Sequence, residues 1–170
     1  MRARLFFCLL FALGCAVARA APAPIEGFWQ ITDNRGTPQS IAVVYGHDGL
    51  FFCRMIAIYD DKTGKLSETA ENATERAKGI KGKPLLVGLD FIWNLKPGNG
   101  RHYRGTVINP DDGHTYVCKV WYDEQRKKLA VRGELLLFGQ NQYWPPVDPQ
   151  NLPETLRVQL DKLVPEIPPN

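Results

Sequence analysis

The chain has 170 residues, and its 21 lysines and arginines against 18 aspartates and glutamates give a formal net charge of +3. Three of those bases, Arg2, Arg4 and Arg19, lie in the first 20 residues, so the rest of the chain carries 18 basic and 18 acidic residues. A formally neutral chain has no excess of positive charge for binding nucleic acid or an anionic membrane surface, and we exclude both partner classes.

The first 20 residues are typical of an export signal. Two arginines precede an apolar run over 5–17, and Ala18-Arg19-Ala20 is a small-x-small cleavage site. We therefore expect residues 1–20 to be removed and the mature protein to be periplasmic or secreted. No later stretch of about 18 apolar residues exists, so the sequence predicts no transmembrane segment.

Export limits what the four cysteines can do. Cys8 and Cys15 lie in the predicted signal, which leaves Cys53 and Cys118 as structural residues of the mature protein. The sequence leaves open whether these two form one disulfide or remain two buried, inert thiols. Lipidation at Cys15 is disfavoured, because Ala12 stands where a lipoprotein signal usually has leucine.

Between residues 26 and 144 the chain alternates short β-rich runs with glycine, proline, asparagine and aspartate, which predicts an all-β domain over 21–146. Short links indicate hairpins, and a meander of hairpins closes most economically into an antiparallel up-and-down barrel, because closure removes exposed sheet edges. We expect eight strands, at about 27–33, 39–45, 50–59, 85–95, 101–108, 114–122, 128–138 and 140–144.

The connection over 60–84 is longer than the others. Its segment 67–78 has acidic residues such as Glu68 early, basic residues such as Arg76 late, and Gly79 as a stop. This pattern predicts a weakly packed helix, which would be either a surface element without a further role or a mobile flap over one end of the barrel.

After the barrel comes a proline-rich tail over 147–170. Asn151 and Glu154 fit the start of a short amphipathic helix over 152–164. We expect this helix to dock on the barrel wall, with a partner-binding helix as the alternative. Its apolar stripe consists of Leu152, Leu156, Leu160 and Leu163.

Charged residues mark the outer face of each strand, as Arg54 and Asp90 do, and the opposite face is then free of charge. With Tyr45 included, this predicted interior holds five tyrosines, whose hydroxyls would each cost about 1–3 kcal/mol if buried without partners. We therefore expect a cavity that holds one small ligand rather than a filled core. The candidate ligand-binding residues are Phe51, Tyr59, Phe91, Trp93, Tyr103, Tyr116 and Tyr122.

No catalytic or metal-binding motif occurs in the sequence. His102 and His114 would lie roughly 20 Å apart on paired strands at about 3.3 Å per residue, so they cannot share a metal. Asp60-Asp61-Lys62-Thr63-Gly64 lacks the ligand spacing of a calcium loop. We therefore expect no enzymatic activity, no metal and no cofactor.

Five motifs in order carry a resemblance to a known family. They are Gly27-Phe28-Trp29, Lys83-Pro84-Leu85-Leu86-Val87-Gly88-Leu89, Asn109-Pro110-Asp111-Asp112-Gly113-His114-Thr115-Tyr116, Val131-Arg132-Gly133 and Phe138-Gly139-Gln140-Asn141-Gln142-Tyr143-Trp144. Over residues 25–144 the chain resembles DUF2147, exported bacterial proteins of no established activity whose members resemble the lipocalin (calycin) barrels.

The resemblance implies structural roles for two further residues. Gly27-Phe28-Trp29 is similar to the opening motif of lipocalins, so Trp29 is expected at the closed end of the barrel. A late arginine covers this tryptophan in lipocalins, but Gln140 stands at the matching position here, which leaves Arg132 as the candidate substitute.

These observations favour an exported, lipocalin-like binding protein that holds a small apolar or aromatic molecule in its barrel. The alternative is a non-enzymatic envelope interaction or assembly protein with a filled barrel, which would bind a protein partner through the tail helix over 152–164 or through the 60–84 segment.

Overall fold

A computed structural model describes residues 24–99, 101–134 and 141–169. Their regular structure is almost wholly β, as the alternating sequence pattern predicts. The strands are β1 (Gly27–Thr32), β2 (Pro38–His47), β3 (Leu50–Tyr59), β4 (Leu66–Thr69), β5 (Asp90–Pro97), β6 (Tyr103–Ile108), β7 (Thr115–Asp123), β8 (Lys128–Glu134) and β9 (Asn141–Trp144).

The strands form one antiparallel sheet in the order β1-β2-β3-β5-β6-β7-β8-β9, while β4 pairs with the end of β3. The sheet curves into a nearly closed barrel, in which Trp29 of the first strand bridges to Pro146, just after β9. The predicted all-β, antiparallel barrel is therefore confirmed, with the short β4 as an additional strand. The end of the predicted seventh strand, 135–138, lies outside the described residues.

The predicted helix over 67–78 is wrong. Its first residues belong to β4, and the following segment forms turns up to the bridge between Arg76 and Leu85. The Glu68 side chain accepts hydrogen bonds from the backbone N–H groups of Thr74 and Glu75, at 3.0 and 2.9 Å, and from the Thr74 hydroxyl. The acidic residue therefore closes a loop rather than beginning a helix.

The tail docks on the barrel, but the helix predicted over 152–164 is absent from its described residues. Two 3₁₀ turns take its place, Glu154–Leu156 and Leu160–Lys162, and a third, Pro149–Asn151, precedes them. Leu152 and Leu156 are buried, whereas Leu160 and Leu163 are half-buried against the core. Among the described residues, no helix has the length and apolar character needed to cross a membrane.

The two ends of the barrel are distinguished by the connections between strands that lie there. We call the end with the connections after β1, β3 and β6 the open end, and the end with the turns after β2, β5 and β7 the closed end. At the closed end the Trp29 indole donates a hydrogen bond to the carbonyl of Ile25, at 2.9 Å. Between the ends the interior is filled by side chains that are at most 1% exposed, namely Val44, Cys53, Leu95, Cys118 and Val120.

Candidate functional site

The interior face of β2 and β3 follows from their register. Ala42 pairs with Met55 and Val44 with Cys53, so these four side chains share one face. Ala57, two residues beyond Met55, pairs with Ile41 instead, which makes Ile56 the extra residue of a bulge. Because a bulge shifts the alternation of a strand by one residue, the faces assigned to the residues beyond it change.

Tyr59 lies beyond this bulge and is therefore misplaced by the sequence prediction. Its side chain lies close enough to interact with that of Gln30, which pairs with Ile41 on the outer face of the barrel. Burial raises the pKa of Tyr59 above its ordinary value. The prediction that Tyr59 lines the interior is thus wrong, since strict alternation cannot anticipate a bulge.

Strand β5 also contains a bulge, so its side chains beyond the bulge point to faces other than those predicted, and Trp93 is one of them. Asp90 pairs with Arg54 and Ile92 with Cys53, so Phe91 is the extra residue of a bulge. Ile92 then pairs with Val107 on the inner face, and Trp93 pairs with Thr106 on the outer face. The prediction of Trp93 as an interior ligand contact is therefore wrong, whereas Phe91 lines the interior as predicted.

The open end of the barrel contains a pocket of about 310 Å³. This volume lies at the lower end of the range for ligand pockets, roughly 300–1,000 Å³. The rings of Phe91 and Trp144 pack against each other at a tilt of 47°, with centroids 6.2 Å apart. The lining residues come from nearly every strand of the barrel: Ile31, Ser40, Met55, Phe91, Ile92, Val107, Pro110, Val131, Gly133, Gln142 and Trp144.

The chemistry of this pocket is almost entirely apolar. Its two polar side chains are Ser40 and Gln142, and the Gln142 carbonyl oxygen accepts a hydrogen bond from the Trp144 indole at 3.0 Å. Among the residues that the structure describes, no ionisable side chain lines the wall. A wall of this kind binds apolar groups and offers few polar contacts.

Of the other predicted wall residues, Phe51, Tyr103 and Tyr122 lie nearer the closed end, whereas Tyr116 lies near the open end. Phe51 packs against Tyr103 with ring centroids 5.1 Å apart, and Tyr122 lies 6.2 Å from the ring of Trp29. Tyr116 pairs with Val107, which places it on the interior face by register. Tyr103 and Tyr122 line a second hollow of about 480 Å³, together with Pro24, Pro97, Arg101, His102 and Glu124. The structure thus divides the predicted binding residues between two ends.

Trp29 lies on the interior face at the closed end, as the resemblance implied, but Arg132 does not cover it. Arg132 pairs with Asn141 on the outer face and donates a hydrogen bond to the Asn141 side chain at 3.1 Å. Tyr122 is the aromatic neighbour of Trp29 instead. The expectation for Arg132 is wrong because its strand position points away from the barrel axis; Gln140 lies outside the described residues.

Cys53 and Cys118 are buried free thiols, so the alternative of a disulfide does not hold. Burial raises the pKa of Cys53 well above its ordinary value and that of Cys118 to about 12. Because the thiolate is the reactive form, both side chains act as small apolar core residues at neutral pH.

Arg54 and Asp90 do mark the outer face, yet both are buried, because the tail covers them. Arg54 Nη2 donates hydrogen bonds to Asp90 Oδ2 at 2.7 Å and to the carbonyl of Val164 at 2.5 Å. The Glu166 N–H also donates to Asp90 Oδ2, at 2.5 Å. The tail therefore closes over this ion pair with hydrogen bonds of its own.

Tyr45 belongs to the same group rather than to the interior. Its hydroxyl donates to Asp90 Oδ2 at 2.9 Å, and Arg54 Nη2 donates to the Tyr45 oxygen at 3.1 Å. Burial and the neighbouring carboxylate of Asp90 raise the pKa of Tyr45 well above its ordinary value. We call Tyr45, Arg54 and Asp90 the outer charge cluster.

Metal-binding geometry does not occur in the part of the chain that the structure describes, where no three histidine, cysteine or acidic side chains group as ligands. His102 instead contacts Trp121 through the ring edge, with centroids 5.0 Å apart. Asp60 accepts hydrogen bonds from the backbone of Lys62 and Thr63, which is an ordinary loop contact.

A nearly closed antiparallel barrel with an apolar pocket at one end is the architecture of lipocalin-like proteins. Protein HP1028 from Helicobacter pylori, described as belonging to the lipocalin family, superposes with a TM-score of 0.60 at 19% sequence identity. The match covers 81% of this chain and 93% of HP1028, and it shows a shared fold.

The sequence matches one family model, DUF2147, over residues 27–145. The chain therefore belongs to the DUF2147 family, which is described as an uncharacterized protein conserved in bacteria. No curated protein sequence matches the chain significantly.

Sequence reasoning missed Ile31 and Trp144 as pocket residues. Trp144 stood at the end of a predicted strand without a charged neighbour to mark its face. The pairing of Trp144 with Leu129 and of Ile31 with Ser40 assigns both side chains to the interior. That assignment needs the register, which short strands do not reveal in sequence alone.

Proposed function

We propose that this protein is an exported binding protein that holds a small apolar molecule in the open-end pocket, without catalysing a reaction. The observation that supports this most is the composition of the pocket, a space of about 310 Å³ whose described lining is mainly aliphatic and aromatic, with Ser40 and Gln142 as polar side chains and no ionisable group among those residues. Burial of an apolar ligand there would gain roughly 25 cal/mol per Å² of apolar surface.

The filled middle of the barrel limits the size of this ligand. Cys53 and Leu95 are fully buried at that level, so a ligand cannot extend from the open end to the closed end. The ligand therefore has the dimensions of a single chain or a single small ring system rather than of a branched lipid.

A paired substitution tests this proposal. Val107→Phe places a larger side chain in the pocket, whereas Val117→Phe changes an exposed residue of β7 by the same amount. A fluorescent fatty-acid analogue should bind the wild-type chain and the Val117→Phe variant equally. It should bind Val107→Phe at least about tenfold more weakly, since the added ring occupies the ligand's space.

The result would contradict the proposal if both variants bound the analogue as the wild type does, or if the wild type bound none. A complementary measurement is solvent extraction of the purified protein followed by mass spectrometry. A co-purifying apolar compound that is absent from Val107→Phe supports the same pocket.

A protein-binding role is the second candidate, and one observation favours it. Val164 and Ile167 are large apolar residues of the tail and are 63% and 44% exposed. Ile167 lines a groove formed with the segment before β5. Loss of a partner in affinity capture after Val164→Ser and Ile167→Ser, with ligand binding unchanged, would support this role.

A further inference from the structure

The barrel closes by very few hydrogen bonds between its first and last strands. The Gln30 N–H donates to the carbonyl of Pro145 at 2.9 Å, and the Val147 N–H donates to the carbonyl of Phe28 at 2.8 Å. These two bonds flank the bridge between Trp29 and Pro146. Within the described residues, no further backbone hydrogen bond joins β1 to β9.

We call this line of contact between β1 and β9 the seam. The sequence explains why its hydrogen-bonded pairing ends. In an antiparallel pair, residues such as Gln30 and residue 145 exchange two hydrogen bonds, one in each direction. Residue 145 is proline, which has no N–H, so the bond back to the Gln30 carbonyl cannot form. The ladder therefore ends at Pro145.

Beyond this point the backbones of β1 and β9 face each other without a ladder. The next pair in register would be Thr32 and Tyr143, two residues further toward the open end. Since Gln30 and Pro145 bond across the seam, the alternation of a strand points the N–H and C=O groups of Thr32 and Tyr143 into it as well. We call this unpaired stretch, between Ile31–Thr32 and Tyr143–Trp144, the slot.

The slot lies directly beside the open-end pocket. Ile31 and Trp144 lie on its two sides, and the side chains of both line the pocket. Gln142, one of the two polar side chains of the pocket, is also on this edge of β9. A ligand in the pocket can therefore reach the backbone groups of the slot without displacing the core.

We propose that the ligand enters the pocket from the side, through the slot, and that the slot then holds the ligand's polar end. This proposal rests on the proposed binding function. The ligand is a single-chain amphiphile whose head carries an amide. Its apolar chain occupies the pocket, and its amide pairs with the backbone of Thr32 and Tyr143 as a neighbouring strand would.

The reason for an amide is the mixture of groups that the slot presents. Thr32 and Tyr143 each offer one N–H donor and one C=O acceptor. A carboxylate accepts only and an ammonium donates only, whereas a secondary amide does both with the geometry of a peptide. The described lining of the pocket adds apolar contact but no charge to neutralise an ionic head.

One pair of substitutions tests the opening. Pro145→Ala restores the missing donor and lets the ladder continue toward Thr32. Pro146→Ala is the control: because Pro146 bridges Trp29, the N–H that this substitution adds points away from β1. With N-methyldodecanamide as the probe, the association rate followed by tryptophan fluorescence should fall at least about fivefold in Pro145→Ala. It should stay unchanged in Pro146→Ala.

Amide hydrogen exchange shows whether the seam has closed. The Thr32 amide should exchange at least about fivefold more slowly in Pro145→Ala than in the wild type. If it does not, Thr32→Cys with Tyr143→Cys, joined by a short bis-maleimide crosslinker, closes the slot instead. Unchanged probe association after verified closure overturns the side opening, while failure of the wild type to bind any probe overturns the proposed function itself.

A second pair of probes tests the head group. Methyl dodecanoate has the chain and shape of N-methyldodecanamide but an oxygen in place of the N–H. In competition for the pocket of the wild-type chain, the amide should bind about three- to tenfold more tightly, the effect of one additional hydrogen bond. Equal affinity of the two probes contradicts the assignment of the slot to an amide.

Discussion

The open-end pocket and the outer charge cluster lie back to back on the same two strands. Met55 follows Arg54 in β3, and Phe91 follows Asp90 in β5, so neighbours in sequence point to opposite faces of the barrel wall. On the inner face the side chains are apolar and leave a space. On the outer face they are ionic, and the tail fills the space above them.

The difference between the two faces follows from the cost of burying charged and apolar side chains. A charge that is removed from water must be paired and hydrogen-bonded, and Asp90, fully buried, accepts from Tyr45, Arg54 and Glu166. An apolar wall has no such demand, so it can stay partly empty. We infer that the outer charge cluster serves stability and the pocket serves binding, and four predictions test this division.

Removal of the tail should have the largest effect on stability. A chain that ends at Pro149 loses the burial of Leu152 and Leu156, which contribute about 1.5–3 kcal/mol each, and uncovers the outer charge cluster. We expect a decrease of about 3–6 kcal/mol in the free energy of unfolding, measured by urea denaturation. If the shortened chain is as stable and as monomeric as the full one, the leucines do not stabilise this barrel.

Asp90→Ala should be nearly as destabilising. It leaves Arg54 buried without its carboxylate, which costs about 3–5 kcal/mol. The double variant Arg54→Met with Asp90→Leu should lose less than Asp90→Ala alone, because no charge remains to be paired. Asp61→Ala, at an exposed position, serves as the control, and a loss at Asp90 no larger than at Asp61 would argue against the cluster.

Tryptophan substitutions separate the two faces by their optical signal. Quenching by a bound fluorescent fatty-acid analogue should fall by more than about half in Trp144→Phe, because Trp144 lines the pocket. It should be nearly unchanged in Trp93→Phe, whose strand register places it on the outer face. The opposite pattern would mean that the register of β5 is not as described.

The smallest effect concerns Glu68, a second buried carboxylate. Burial alone would raise its pKa, but the hydrogen bonds from Thr74 and Glu75 hold the pKa below its ordinary value. A lowered pKa in the folded state means that this stabilisation is complete above the unfolded pKa and is lost as the pH falls through the folded one. Between pH 5 and 3 the free energy of unfolding should fall less steeply in Glu68→Gln than in the wild type; equal slopes would contradict the assignment.

Much of the fold follows from the sequence, because turn residues and alternation mark strands and hairpins directly. The two predicted helices failed for a shared reason: composition does not reveal which long-range contacts compete with a helix. Glu68 closes a loop, and Arg157 Nε donates to the carbonyl of Leu152 at 2.9 Å, inside the expected helix. Pro153, at its start, also has no N–H to contribute.

The site was predicted less well, since one inserted residue reverses every face that follows it. The bulge at Ile56 moves Tyr59 outside, and the bulge at Phe91 moves Trp93 outside. Charge marked the outer face correctly at Arg54 and Asp90, but the sequence did not show that the tail buries them. Those features depend on pairing across the sheet rather than on local composition.

Met55 offers the most direct test of the central claim, that the open-end pocket binds an apolar ligand. The chain has two methionines, Met1 and Met55, and Met55 lines the pocket. With methionine labelled at its ε-methyl group, addition of N-methyldodecanamide should shift the Met55 methyl signal in the NMR spectrum to saturation. The same addition should leave that signal unmoved in Val107→Phe. A Met55 signal that stays in place while the probe binds the wild-type protein would show that the ligand site lies elsewhere.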